Sequence, residues 1–117
     1  MRLLFFVLNK TEKLDDVLIE FAHRNISGAT VLESAGMARL LSNKHDEGEI
    51  PFLSSITAFL NPEREKSNVI FTVIKDSQLS EAINAIEHVV GNLSENDTGI
   101  VFSLPIDYTK GISGIGD

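Results

Sequence analysis

Apolar residues occur in short continuous runs that alternate with stretches of helical periodicity. Four such runs predict strands, and the first is rich in branched and aromatic residues, as is typical of a strand covered on both faces. They are Leu3–Leu8, Gly28–Ser34, Asn68–Ile74 and Ile100–Ile106. After the first and third runs, apolar positions follow the i, i+3, i+4, i+7 spacing of one helical face. The pattern therefore predicts strand, helix, strand twice over, in the order βαββαβ.

Each predicted helix has an apolar face and residues suited to its ends. The faces are formed by Leu14, Val17, Leu18, Phe21 and Ala22 in the first helix and by Leu79, Ala82, Ile83, Ile86 and Val90 in the second. Thr11 and Ser77 precede these faces and are predicted N-caps, because a hydroxyl can accept a hydrogen bond from the free backbone N–H groups. Gly28 and Gly91 follow the helices and are predicted to turn the chain.

Two βαβ units of this size predict an α+β, ferredoxin-like fold. Such a fold has a four-stranded antiparallel sheet with two helices on one face. A chain of 117 residues is most simply a single domain, here residues 1–117. Because one helix layer covers only one face, strands that are apolar on both sides predict that another subunit covers the second face.

The segment between the two halves differs from the rest of the chain. Residues 36–51, GMARLLSNKHDEGEIP, contain both signs of charge, two Gly and a Pro. We expect a loop there, an excursion between strands 2 and 3 that disturbs neither half. Apolar positions from Phe52 to Leu60 return to helical spacing and predict a short amphipathic helix over about 52–60.

Composition narrows the class of protein. The chain has no Cys, which excludes disulfides and thiolate chemistry and suits a reducing cytoplasm, the location we expect. The apolar run near the N-terminus is far shorter than the roughly 20 residues that span a bilayer, so a buried strand explains it better than a signal peptide, and we expect no membrane insertion. A net charge of −7 argues against nucleic acid as a partner.

Candidate catalytic and metal-binding residues give weak signals. Asn9 and two Lys follow the first strand, but an acylphosphatase-like enzyme would also need an Arg and an anion-cradling loop there. A loop cluster of His45, Asp46, Glu47 and Glu49 could bind a divalent metal, although a solvated charged loop explains it better. We therefore predict neither an enzyme nor a metal site.

Three stretches carry a resemblance to a known family. KTEKLDDVLIEF follows the first strand, GATVLESAGMAR includes the second, and DTGIVFSLPID includes the last. In this order and at this spacing they resemble the PII nitrogen-regulatory signalling proteins over nearly the whole chain. The resemblance implies a homotrimer whose three sheets line the centre. It also implies a T-loop that reaches a partner protein, with adenine nucleotides bound between subunits at the base of that loop.

The resemblance also implies a set of ligand-binding positions. By this match they are Thr30, Gly36, Met37, Ala38 and Arg39 around the end of strand 2, and Asp97, Thr98, Gly99 and Lys110 around strand 4. Thr30 matches a residue that meets an adenine edge. At the base of the loop, Gly36 lets backbone N–H groups approach a phosphate and Arg39 supplies charge.

This chain departs from the family at several of these positions. Gly99 stands in place of a family Lys, Ala38 replaces a second Gly, and Lys110 is the only cation after the last strand, where the family has two Arg. The T-loop-like segment has Arg39, Lys44, His45, Asp46 and Glu47 as candidate partner contacts. It lacks the family's modifiable Tyr, since the only Tyr is Tyr108.

The function implied is that of a divergent, trimeric PII-like regulator. It would bind a small ligand (ATP, ADP, AMP or another effector) between subunits and regulate a transporter or an enzyme through its loop. The first alternative is a trimeric divalent-metal-binding protein of the CutA type, which shares the fold and the assembly. An acylphosphatase-like enzyme is a third, lower alternative.

Overall fold

The computed structural model describes residues 1–37, 66–95 and 98–112. Its strands and helices follow the predicted order: β1 (Arg2–Leu8), α1 (Leu14–His23), β2 (Thr30–Ser34), β3 (Ser67–Ile74), α2 (Leu79–Val90) and β4 (Gly99–Pro105). The predicted helix over about 52–60, and all of the predicted loop after Met37, lie outside the described residues.

The strands form one antiparallel sheet in the order β2-β3-β1-β4. The two central strands are therefore β1 and β3, each followed by a helix, and the edge strands are β2 and β4. With α1 and α2 packed on one face, this is the ferredoxin-like α+β arrangement predicted from the sequence. The segment between β2 and β3 connects the two halves, as predicted.

The core lies between the helices and one face of the sheet. Alternate residues of β1, which are Leu4, Phe6 and Leu8, are at most 1% exposed and belong to one cluster with Phe21 and Ile86 of the helices. Side chains alternate between faces along a strand, so the odd-numbered residues of β1 lie on the opposite face. Burying each large apolar side chain contributes about 1.5–3 kcal/mol, so this single cluster stabilises the whole fold.

The helix starts differ from the predicted caps. Thr11 begins a 3₁₀ turn, Thr11–Lys13, and no side chain caps α1. Ser77 likewise lies inside a 3₁₀ turn, Asp76–Gln78, where the Gln78 side chain accepts a hydrogen bond from the Lys75 backbone N–H at 2.9 Å. Both cap predictions were wrong because an extra turn separates the hydroxyl from the α-helix.

The helix ends give one confirmation and one correction. Gly91 caps α2 with φ of 86°, a left-handed conformation that glycine adopts without strain. After α1 the left-handed residue is Asn25, with φ of 65°, and not Gly28. Asn tolerates this conformation better than most residues, so it can take the place of a terminal Gly.

Thr72 provides a test of packing in the core. Its side chain is 3% exposed, and its hydroxyl has no hydrogen-bond partner. A buried hydroxyl without a partner costs about 1–3 kcal/mol. We therefore expect Thr72→Val, which keeps the shape, to raise the free energy of unfolding by about 1 kcal/mol in a urea titration. Thr72→Ala is the control, because it removes the hydroxyl but also a methyl group; a less stable Thr72→Val protein would contradict the prediction.

Candidate functional site

The sheet face opposite the helices is apolar and open. The strand register places its side chains in three rows across the sheet. The rows are Leu3, Val73 and Leu104; Thr30, Phe71, Phe5 and Phe102; and Leu32, Val69, Val7 and Ile100. On the edge strands, Leu32, Ile100 and Leu104 are 53%, 63% and 51% exposed. The sequence prediction of a second apolar face is confirmed.

The middle row is aromatic. The ring of Phe5 lies between those of Phe102, 4.8 Å away between centroids, and Phe71, 6.5 Å away, and both pairs are stacked. Thr30 is paired with Phe71 and so lies at the β2 end of this row. The predicted ligand-binding Thr30 is therefore an exposed residue on the open face.

The size of this face bears on its role. With strands about 4.8 Å apart and same-face residues about 6.8 Å apart, three rows on four strands cover roughly 400 Å² in projection. The largest apolar patch on a typical monomer is about 300–600 Å² and is often functional. A stable protein interface needs about 800 Å² on each partner, so the open face is large enough to form its centre.

Polar residues replace the apolar ones at one end of the open face. Here β1 and β2 end while β3 and β4 begin, because Ser34 pairs with Ser67 and Leu8 pairs with both Asn68 and Gly99. The Ser67 hydroxyl donates a hydrogen bond to Asn9 Oδ1 at 3.0 Å. Asn9, Ser67 and Ser34 thus form a line of neutral hydrogen-bonding side chains, which we call the polar row.

Ser34 and Ser67 were not functional candidates from the sequence. Asn9 was a candidate only for an acylphosphatase-like enzyme. In the sequence, these residues are marked only by the change from apolar to polar residues at the ends of the strands. Most strands end in this way, so the change does not indicate a site. The hydrogen bond between Ser67 and Asn9 joins residues 58 positions apart, so only the register brings them together.

The predicted ligand-binding residues fall at opposite edges of the sheet. Gly36 and Met37 follow β2, while Thr98 precedes β4 and Gly99 begins it, all at the end that carries the polar row. Three strand spacings, about 14 Å, separate these two edges. One chain therefore does not bring the two groups together.

Lys110 lies at the other end of the sheet. The chain leaves β4 at Pro105, the end opposite Gly99. Thr109 directly precedes Lys110 in the chain. Its hydroxyl contacts Met1 Sδ at 3.8 Å, and Met1 directly precedes β1. Of the other predicted contacts, Ala38, Arg39, Lys44, His45, Asp46, Glu47 and Asp97 lie outside the described residues.

Gly99 has a conformation that excludes a side chain. Its φ is 146°, and a Cβ placed on it would overlap the carbonyl oxygen of Val7 and lie 2.9 Å from Phe6 Cε1. The Lys that the PII family has at this position would not fit this backbone. The departure noted in the sequence is thus imposed by close packing of β4 against β1.

Among the described residues, the groups next to Gly99 add no free cation at the β4 edge. Thr98 is 1% exposed, and its hydroxyl has no hydrogen-bond partner. The Lys10 ammonium group donates to the Val90 carbonyl at the end of α2, at 3.3 Å. Lys66, which is exposed, precedes β3 next to Ser67. Within the described ranges, the residues at the β4 edge do not fit the polyphosphate of an adenine nucleotide.

The helix side of the molecule has a separate surface feature. Asp16, Ile19 and Glu20 of α1 and His88 and Val89 of α2 line an open groove of about 310 Å³. Among residues 1–37, 66–95 and 98–112, no three His, Asp or Glu side chains are placed to hold a metal ion. The loop cluster that raised the metal alternative lies outside these ranges.

Two further findings concern membrane-spanning helices and similarity to known proteins. No helix in the part of the chain that the structure describes is long and apolar enough to cross a membrane. Comparison of the sequence with models of known protein families and with curated proteins gives no match.

Proposed function

We propose that this protein is a PII-like, cytoplasmic regulatory protein that acts as a homotrimer. It binds a small ligand, an adenine nucleotide or another effector, between subunits. Ligand binding changes the affinity of residues 36–51 for a regulated transporter or enzyme. The role is one of binding and signalling, without catalysis.

The observation that carries this proposal is the position of the two groups of predicted ligand-binding residues. Gly36 and Met37 lie at one edge of the sheet and Thr98 and Gly99 at the other, at the same end. In one chain the distance between the edges is too large for a small ligand to touch both. In a ring of copies, the β2 edge of one subunit can lie beside the β4 edge of the next, which would complete a site between them.

The open apolar face supports the same assembly. A face made of Leu, Val, Ile and Phe side chains loses its contact with water when copies of the sheet pack against one another. A ring of three copies is built from heterologous contacts, so two different parts of the open face, one towards β2 and one towards β4, would meet in each contact. Gly36 and Met37, the described residues of this segment, lie at the edge of this face.

We expect multi-angle light scattering to give a mass three times the 12.8 kDa of the chain. Apolar faces that would otherwise meet water drive the association, so the mass should persist at high salt. A mass equal to one chain at micromolar concentration would overturn the trimer.

A thermal-shift screen on the same sample, with adenosine, AMP and ATP against Zn²⁺ and Cu²⁺, separates the proposed function from the CutA-type alternative. Stabilisation by the metals alone would favour the alternative.

A further inference from the structure

We infer that β4 of one copy pairs with β2 of the next copy, as hydrogen-bonded antiparallel strands that join the sheets around the ring. The partner that fits the β4 edge is thus the β2 edge of a second copy of this chain. The inference rests on the proposed function, because it specifies how the copies meet at the same site.

The backbone groups of β4 that point away from the sheet follow from one hydrogen bond. The Ile106 N–H donates to the Met1 carbonyl at 3.1 Å, and these two residues continue the register of β4 with β1. Hydrogen-bonded and non-hydrogen-bonded residue pairs alternate in an antiparallel ladder. The backbone N–H and C=O groups of Val101 and Ser103 therefore point away from β1. Pro105, which has no N–H, lies at the next such position, where an edge strand tolerates it.

The same alternation, carried across the sheet, identifies the outward groups of β2. The even-numbered residues of β1 face β3, and odd-numbered residues of β3 such as Phe71 face β2. Phe71 pairs with Thr30, so Val31 and Glu33 point their backbone groups away from β3. All three strand pairs have a continuous register without a bulge. Since no described strand lies beyond either edge, each edge can accept a further strand.

The strand directions allow such pairing around a ring. Each strand is antiparallel to its neighbours in the order β2-β3-β1-β4. Because the number of strands is even, β2 and β4 run in opposite directions, and β4 of one copy is antiparallel to β2 of the next. Every copy then uses its two edges in the same way, which is the heterologous contact that closes a ring.

Charge selects a register for this pairing. Arg2 and Glu33 are the only charged residues in the four described strands, and both lie on the helix side of the sheet. Arg2 Nε donates to the Ser103 hydroxyl at 3.3 Å, so this cation lies near the β4 edge. Pairing Glu33 with Ser103 of the next copy brings the two opposite charges together. The same register brings Met37 towards Gly99, and so joins the two groups of predicted ligand-binding residues.

The open face favours the same register. Leu32 then lies opposite Leu104 of the next copy, on the apolar side of the paired strands. These side chains are 53% and 51% exposed in the single chain, and contact between them removes apolar surface from water. The edges therefore match in backbone groups, in charge on the helix side and in apolar side chains on the open face.

Introduced cysteines test this register directly, because the chain has no Cys. In one chain Leu32 and Leu104 are at least about 14 Å apart, on opposite edge strands, which is too far for a disulfide. In the proposed pairing they form a non-hydrogen-bonded pair, whose Cα atoms are about 4.5 Å apart. We expect mild oxidation of the double variant Leu32→Cys, Leu104→Cys to link three copies covalently on a non-reducing gel. Leu32→Cys with Ile100→Cys is the matched control on the same edges and should not cross-link, because the register separates these positions by about 14 Å.

A proline tests the backbone pairing. Ser103→Pro removes an N–H that points away from β1, so the chain keeps its own sheet and loses a hydrogen bond to the next copy. We expect the dissociation constant of the trimer, from light scattering on dilution, to rise at least about tenfold. Ser103→Ala is the matched control, because it loses the hydroxyl that accepts from Arg2 and keeps the N–H. Circular dichroism reports whether each variant is folded.

Light scattering on the unchanged chain separates the two possible failures. A mass of one chain would overturn the proposed trimer and the strand pairing together. A trimer that gives no covalent link in the Leu32→Cys, Leu104→Cys variant would overturn the strand pairing and leave the proposed trimer standing. So would a folded Ser103→Pro protein that assembles as tightly as Ser103→Ala.

Discussion

Phe102→Asp is expected to convert the proposed trimer into a monomer while the chain remains folded. Phe102 is 45% exposed in the single chain and lies on the open face, stacked on Phe5. Aromatic residues at the centre of an interface contribute about 2–4 kcal/mol each, and every 1.4 kcal/mol is about tenfold in affinity. A carboxylate at this position would also lose its hydration, so the association should be lost at micromolar concentration.

The measurement is light scattering, with circular dichroism to confirm the fold. The loss of one stacked pair costs the single chain only about 0.5–1.5 kcal/mol, so the monomer should still fold. Leu104→Asp, on the same face but outside the aromatic row, is a second variant that avoids this cost. Tyr108→Asp is the control, because Tyr108 is 77% exposed and lies beyond β4. A trimer that survives both face variants would show that copies associate through another surface.

Gly99→Lys, which introduces the residue that the PII family has at the matched position, is expected to destabilise the fold by about 3–5 kcal/mol. Two costs add: a side chain at φ of 146° is strained by about 1–3 kcal/mol, and its Cβ overlaps the Val7 carbonyl, where overpacking costs a further 1–3 kcal/mol. A domain of this size has about 5–15 kcal/mol in total, so much of its stability would be lost. Urea unfolding followed by circular dichroism measures the change.

Gly91→Ala is the matched control for the conformational cost alone. Gly91 also has a positive φ, 86°, but no atom lies within 4 Å of a Cβ placed there. Gly91→Ala should therefore lower the free energy of unfolding by only about 1–2 kcal/mol. Comparison with Gly99→Ala then isolates the overlap with Val7. Equal losses in the two Ala variants would show that the close approach of β4 to β1 is unimportant, and a Gly99→Lys protein as stable as the unchanged chain would show that the backbone at Gly99 accommodates a side chain.

Periodicity was sufficient to predict the strands, the helices and their order. Runs such as Leu3–Leu8 and Asn68–Ile74 differ by only one or two residues from the observed β1 and β3. The helix ends were less predictable, because Thr11 and Ser77 are suitable caps but lie within 3₁₀ turns that the pattern does not show. Whether a hydroxyl caps a helix depends on backbone angles one turn away, which the neighbouring packing decides.

The candidate site was predictable only in part. The family resemblance pointed to Thr30, Gly36 and Gly99, and the fold places the last two at the same end of the sheet. The resemblance could not show that Gly36 and Gly99 lie at opposite edges of the sheet, because the edge that a strand occupies depends on the strand order. Nor could it identify the polar row, whose members Asn9 and Ser67 are brought together only by the pairing of β1 with β3.

Local patterning is thus enough for the strands and helices that the structure describes, and for an apolar second face, because burial and periodicity are properties of neighbouring residues along the chain. The tertiary structure alone decides which residues share a row, which edge a candidate residue occupies and why Gly99 must remain a glycine. These depend on distances between strands far apart in sequence. One such distance separates Gly99 from the Val7 carbonyl. It is too short for a Cβ, so the fold does not accept a Lys at position 99.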